Sequence, residues 1–128
     1  MGEAEISLRV PGAREFALVI RTALGGVAVL KDLNVGAMDD LRTAADEACD
    51  CLLHQGRPVE SIEMTVRDGG ERLTVSLEAR FAGDKRTDCT DRTAVSQAVL
   101  ETLIPEVTLC ACACGCVQRI DLTLPKAV

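Results

Sequence analysis

The chain has 128 residues, 48% of them hydrophobic, and a formal net charge of −6. This length is typical of one compact unit with one core, so we expect a single domain over residues 1–128. The Lys and Arg residues are scattered and form no basic stripe that could follow a phosphate backbone. Phe16 and Phe81 are the sole aromatic residues, so a surface that stacks on bases is excluded as well. We therefore predict no nucleic-acid partner.

The first half of the chain predicts one strand and two helices. Polar and apolar residues alternate over Glu5–Val10, which is typical of a half-buried strand. From Ala13 to about Lys31 apolar residues recur at helical spacing, which predicts a helix with a buried side formed by Phe16, Ile20, Leu24, Val27 and Leu30. Gly25-Gly26 softens the middle of this helix. A second helix is predicted from about Ala37 to His54, with a continuous inner stripe formed by Leu41, Ala45, Ala48 and Leu52.

The second half predicts two pairs of strands around a third helix. Val59–Val66 and Leu73–Phe81 both alternate and are joined at Asp68-Gly-Gly70, which is a strong hairpin signal. A short polar segment, Gly83–Asp91, precedes a helix from about Asp91 to Leu103. The segment Glu106–Leu124 then gives two strands broken near Gly115. This order of elements predicts an α+β protein, a two-layer α/β sandwich.

The composition also bears on location and redox state. No apolar run reaches the length of a transmembrane helix, and the N-terminal residues MGEAEISLRV are too acidic for a signal peptide. We therefore expect a cytoplasmic protein without a membrane partner. Its seven cysteines are then expected to be reduced thiols.

Several segments resemble one known family. The strand ending in Val10-Pro11, the helix residues 20–28 and above all the run Asp40-Leu-Arg-Thr-Ala-Ala-Asp-Glu-Ala-Cys49 are similar to the anti-sigma-factor serine/threonine kinases of bacterial partner-switching systems. The segments 71–77 and 100–107 are similar too. The resemblance implies the histidine-kinase-like (GHKL) ATPase fold, which is a mixed, mainly antiparallel sheet with helices on one face.

The resemblance also implies positions for the family's nucleotide chemistry. Glu47 matches the Glu that orients or deprotonates the attacking nucleophile. Four residues later the family has an Asn that helps to hold Mg²⁺, and here that position is Cys51. A protonated thiol is a poor ligand for this hard ion. The His that the family commonly has next corresponds to Gln55, with His54 one step early.

Two further family motifs are changed. We match the adenine-binding Asp of an Asp-x-Gly motif to Glu78, which is followed by Ala79-Arg80 instead of a glycine. The Gly-rich loop that cradles phosphates corresponds to residues 93–98, which contain no glycine. About a dozen residues separate Phe81 from the third helix, so the lid over the triphosphate is predicted to be deleted. We expect a degenerate kinase that uses no cofactor.

Each of these residues also has an ordinary structural interpretation. Glu47 is then a solvated helix charge, and Cys51 a small buried hydrophobic residue instead of a reactive thiol. The acidic residues from Asp39 to Asp50 are then a solvent-facing surface, whose functional alternative is a docking site for a basic partner.

The run Cys110-Ala-Cys-Ala-Cys-Gly-Cys116 allows three interpretations. In one extended strand its four thiols lie on one face, whereas a hairpin at Gly115 brings them together near the turn. The spacing differs from the two to four residues that usually separate zinc-binding cysteines. Packing of small residues is the first interpretation, and metal binding by Cys110, Cys112, Cys114 and Cys116 and redox sensing are the alternatives.

These observations lead to one hypothesis and two alternatives. The hypothesis is a regulatory protein-binding module, a pseudokinase of the partner-switching type that contacts its partner through the two N-terminal helices. The resemblance implies a sigma factor or an anti-sigma antagonist as partner, and a possible homodimer. The first alternative is an active serine/threonine kinase that uses ATP and Mg²⁺, with Glu47 as base and Glu78 on adenine. The second is a cysteine-based metal or redox sensor.

Overall fold

A computed structural model describes residues 4–83 and 93–126. The elements follow the predicted order of one strand, two helices, two strands, one helix and two strands. The strands are β1 (Ile6–Pro11), β2 (Val59–Asp68), β3 (Arg72–Phe81), β4 (Glu106–Ala111) and β5 (Val117–Pro125). The helices are α1 (Ala17–Leu30), which follows a short 3-10 turn at Arg14–Phe16, α2 (Val35–Leu53) and α3 (Thr93–Leu103).

The five described strands form one sheet in the order β1-β2-β3-β5-β4. Each of its four pairings is antiparallel. Because side chains alternate along a strand, one face of the sheet is apolar and buried, and the other is polar. On β3, for example, Leu73, Val75 and Leu77 are fully buried, whereas Thr74 and Glu78 lie on the opposite face.

The three helices cover the apolar face, with α2 in the middle. α2 packs against α1, α3 and the strands β2, β3 and β5. The predicted inner stripe of α2 is confirmed, because all four of its residues are 1% exposed or less. Asn34 caps this helix, since its side-chain oxygen accepts a hydrogen bond of 2.7 Å from the Ala37 amide. The core is built from aliphatic residues, Ala and Cys.

The predicted two-layer α+β sandwich is confirmed. The first helix runs through Gly25 and Gly26 without a break, and its predicted apolar residue Leu30 is 73% exposed instead of buried. The polar segment after Phe81 and the start of the third helix at Asp91 fall largely outside the described residues. Within the described ranges, no helix combines the length and the apolar character that a membrane crossing requires.

Gly12, directly after β1, lies where the chain passes very close to β2. Its amide donates a hydrogen bond of 2.9 Å to the Glu60 carbonyl. A Cβ added at Gly12 would lie 2.1 Å from the Val59 carbonyl oxygen, which is a backbone atom that cannot turn away. A glycine is therefore required at this crossing.

We predict that Gly12→Ala lowers the free energy of unfolding by about 3 kcal/mol, because the clash displaces the β1–β2 pairing. Gly25→Ala is the matched control. A Cβ there meets nothing within 4 Å, and the position is inside a helix, so stability should rise by about 1 kcal/mol. Urea denaturation measures both changes. Equal stability of Gly12→Ala and the wild type would contradict the close approach.

Candidate functional site

The carboxylate of Glu47 links α2 to the beginning of α3. The Ser96 hydroxyl donates a hydrogen bond of 2.8 Å to Glu47 Oε2, and Ser96 is 1% exposed. Ser96 lies in the first turn of α3, where the partial positive charge of the helix favours an anion. Glu47 is thus neither a fully solvated charge nor a carboxylate without a partner. The Glu47–Ser96 hydrogen bond therefore attaches α2 to the first described turn of α3.

Cys51 lies one turn further along α2 and is 4% exposed. It packs in the hydrophobic core with Ala48 and Leu52. Asn in this position would present an amide oxygen to Mg²⁺, whereas the thiol here is a small apolar side chain in a packed layer. The structure therefore places Cys51 in the packed core between α2 and its neighbours.

Gln55 follows the end of α2 and fixes it to the sheet. Its side-chain amide donates a hydrogen bond of 2.7 Å to the Val117 carbonyl and accepts one of 2.6 Å from the Val117 amide. Gln55 is 4% exposed, so this paired contact satisfies buried polar atoms on both sides. The position that commonly holds His in the family therefore has a structural role here.

Glu78 lies on the outer face of the sheet, away from Glu47 and Cys51. It lines a concave region of about 770 Å³ with other polar residues of β2, β3 and β5. The neighbouring residue that faces the helices is Ala79, which is 1% exposed. Because the side-chain period of a strand is two, an adenine contact beside α2 requires an acceptor at Ala79 and not at Glu78. The structure does not bring Glu78 together with Glu47.

The acidic residues on α2 are partly used in ion pairs. Asp46 lies 3.2 Å from Arg21 of α1, and Asp50 lies 3.3 Å from the His54 ring nitrogen Nδ1. These pairs are at least partly exposed, so each contributes little to stability. The acidic face is thus a mixed surface and not a uniformly negative one.

The cysteine run forms a hairpin turn between β4 and β5. The Cys112 amide donates to the Cys116 carbonyl at 2.8 Å, and Gly115 has the positive φ of 94° that the turn requires. Cys110 points elsewhere, since Arg119 donates a hydrogen bond of 3.2 Å to its sulfur. Within residues 4–83 and 93–126, no group of three or more His, Cys, Asp or Glu side chains is arranged to hold a metal ion.

Two contacts at these positions were not predicted from the sequence. One is Ser96, because its contact with Glu47 spans 49 residues and follows from helix packing alone. The other is Arg57, which lies over the Phe81 ring at 4.3 Å and contacts the cysteine turn. Arg57 precedes Pro58, and the sequence around it has no pattern that distinguishes Arg57 from other Lys and Arg residues.

Comparison with known proteins gives two kinds of similarity. No protein-family model matches the chain. The anti-sigma-F factors RsbW of two Mycobacterium tuberculosis strains are each 28% identical over 78 residues, which is 61% of this chain and 46% of theirs. The crystal structure of the RsbU and RsbW domains of one M. tuberculosis protein superposes on 94% of this chain and 32% of that chain, with a TM-score of 0.66 and 16% identity.

These similarities confirm the predicted resemblance to the anti-sigma-factor kinases, and the solved structure confirms the fold. The chain spans about half the length of the curated relatives that it matches, at 46%. The predicted roles of Glu47, Cys51 and Glu78 in nucleotide chemistry stay predictions.

We predict that Glu47 and Ser96 are energetically coupled. Glu47→Ala should lower the free energy of unfolding by about 1 to 2 kcal/mol, because it removes the acceptor of a buried hydroxyl. In a Ser96→Ala background, Glu47→Ala should lower the free energy of unfolding by a smaller amount, because the hydroxyl that needs the acceptor is absent. A double-mutant cycle measured by urea denaturation gives the coupling.

Glu101→Ala is the matched control for this cycle. Glu101 is an exposed α3 residue whose carboxylate accepts a hydrogen bond of 3.4 Å from Gln97 on the same helix, so its loss should change stability very little. Strictly additive effects of Glu47→Ala and Ser96→Ala would show that the hydrogen bond does not form.

Proposed function

We propose that this chain is a regulatory protein-binding module whose partner is a sigma factor, and that it acts in the bacterial cytoplasm without transferring phosphate. The curated relative carries the name of an anti-sigma-F factor, which supports this class of partner. The observation that carries the proposal is an exposed apolar surface on α1.

This surface, which we call the α1 face, consists of Leu18, Thr22, Gly26 and Val29. Their spacing of four, four and three residues places them on one side of the helix, away from the buried residues Ile20, Leu24, Val27 and Ala28. Leu18 and Val29 are each 66% exposed. Exposed apolar side chains grouped in this way mark a protein contact surface.

Small residues between the large ones suit the α1 face to a helix of a partner. A Cβ added at Gly26, or at the neighbouring Gly25, meets no atom within 4 Å. A partner side chain can therefore approach the α1 backbone between Leu18 and Val29. An amphipathic helix with large apolar residues would fill this space in the manner of helix-in-groove recognition.

Two features of the described residues support the absence of phosphate transfer. Cys51, at the position that the resemblance assigns to the Mg²⁺ contact, is a buried thiol, and a thiol is a poor ligand for this ion. Ala79, on the face of β3 that looks toward α2, is a buried apolar residue and offers no side-chain acceptor to adenine.

The proposal is tested by binding to sigma factors of the organism from which the chain comes, each measured by calorimetry with the purified proteins. We predict that one of them binds and that Leu18→Glu or Val29→Glu weakens this binding at least tenfold. A charge in an apolar contact loses its hydration without gaining a partner.

Val95→Glu is the matched control. Val95 is also an exposed apolar helix residue, 57% exposed, but it lies on α3. This variant should bind as the wild type does. Equal binding by all three variants would exclude the α1 face as the contact surface. A sedimentation shift of the isolated chain that Leu18→Glu abolishes would assign the face to a homodimer instead, and phosphoserine on the partner would favour the kinase alternative.

A further inference from the structure

The turn between β4 and β5 brings two thiols into direct contact. The Gly115 amide donates a hydrogen bond of 3.0 Å to the Cys112 carbonyl, which folds the chain back on itself. As a result, the sulfur atoms of Cys112 and Cys114 lie 2.8 Å apart. Cys114 is exposed and Cys112 is partly exposed, so a small solute reaches both.

The cation Arg57 contacts this pair and is held there by two other contacts, with Gly83 and Phe81. Arg57 Nη1 donates to the Cys114 sulfur at 3.2 Å and also lies 3.8 Å from the Cys112 sulfur. Arg57 Nε donates to the Gly83 carbonyl at 2.6 Å, and the guanidinium lies 4.3 Å from the centre of the Phe81 ring. The guanidinium is thus fixed in place beside the thiols.

These contacts favour the thiolate form of Cys114. Hydrogen bonds from the Cys112 thiol, then from the backbone and thiol of Cys116, and then from Arg57 lower the pKa of Cys114 to about 6. Cys49 in α2 shows the opposite effect. Its burial, followed by the charges of Asp46 and Asp50, raises its pKa to about 12. Since the thiolate is the reactive species, Cys114 is far more nucleophilic than Cys49 at neutral pH.

We propose that Cys112 and Cys114 form a peroxide-sensitive dithiol that closes to a disulfide within the β4–β5 turn. The Cys114 thiolate attacks one oxygen of the peroxide, the O–O bond breaks, and the sulfur becomes a sulfenic acid while water or an alcohol leaves. The Cys112 thiol then attacks that sulfur, the S–S bond forms and the S–O bond breaks, and the departing hydroxide takes the Cys112 proton and leaves as water. Hydrogen peroxide is reduced to two waters, and two thiols are oxidised to one disulfide.

The disulfide would change the contacts of Arg57. Oxidation removes the negative sulfur from beside the guanidinium, and Arg57 connects this turn to Phe81 and Gly83 at the end of β3. Local oxidation is therefore linked to the structure at the end of β3. The proposed oxidation of Cys112 and Cys114 does not depend on the α1 face or on the proposed partner.

The test uses the wild-type chain at pH 7 with stoichiometric hydrogen peroxide, followed by alkylation of the remaining thiols and mass spectrometry. The tryptic peptide 93–119 contains Cys110, Cys112, Cys114 and Cys116. We expect this peptide to lose two hydrogen atoms. The loss should persist in Cys110→Ser and disappear in Cys112→Ser and Cys114→Ser. In Cys112→Ser, Cys114 should instead be trapped as a sulfenic-acid adduct by dimedone.

Two arginines give a matched pair of variants. Arg57→Gln should slow the alkylation of Cys114 by iodoacetamide at pH 7 and move its pH midpoint upward from about 6, because the thiolate loses a donor. Arg119→Gln should leave Cys114 unchanged, since Arg119 donates to Cys110. Circular dichroism verifies that both variants are folded.

Two results would overturn the proposal. One is a peptide 93–119 that keeps four thiols after treatment with peroxide. The other is a disulfide that forms in the Cys112→Ser variant as readily as in the wild type, which would place it in a different pair.

Discussion

The close packing of α2 between the sheet and the other two helices is the constraint on which the rest of the structure depends. The chain has two aromatic residues, so its core volume is filled by aliphatic and small side chains at high density. The small residues Ala44, Ala45, Ala48, Cys49 and Cys51 are buried along α2 and allow neighbouring backbones to approach closely. Gln55 then attaches the end of this helix to β5. Any larger polar group on the inner face of α2 would lose this packing.

The same packing includes the positions at which the family resemblance predicts nucleotide contacts. Cys51 fits the packed layer as a small apolar residue, and Ala79 does the same from the sheet. Glu47, by contrast, is a polar residue, and its carboxylate accepts a hydrogen bond from Ser96 of the same chain. At these positions the described contacts are packing contacts and the bond between α2 and α3. The two surfaces proposed here for contact and for chemistry, on α1 and at the cysteine turn, lie outside this region.

Much of the fold follows from local patterns, but the site does not. The stripe on α2 and the turn at Asp68-Gly-Gly70 predict their elements because they depend on neighbours a few residues away. The side of β3 on which Glu78 lies depends on register with β2 and β5, where a shift of one residue reverses every side chain. The contact between Arg57 and Cys114 spans 57 residues, so it exists in the folded chain and leaves no signature in the sequence.

The most direct test of the account is a calorimetric titration of the chain with ATP and with ADP, each with and without magnesium, together with thermal unfolding. We predict no saturable heat and no shift of Tm with either nucleotide, because Cys51 at the predicted Mg²⁺ position and Ala79 on the inner face of β3 are both buried. Magnesium-dependent binding of ATP would contradict it. At one hundred times its Kd, a bound nucleotide would stabilise the fold by about 2.7 kcal/mol, which such a measurement readily detects.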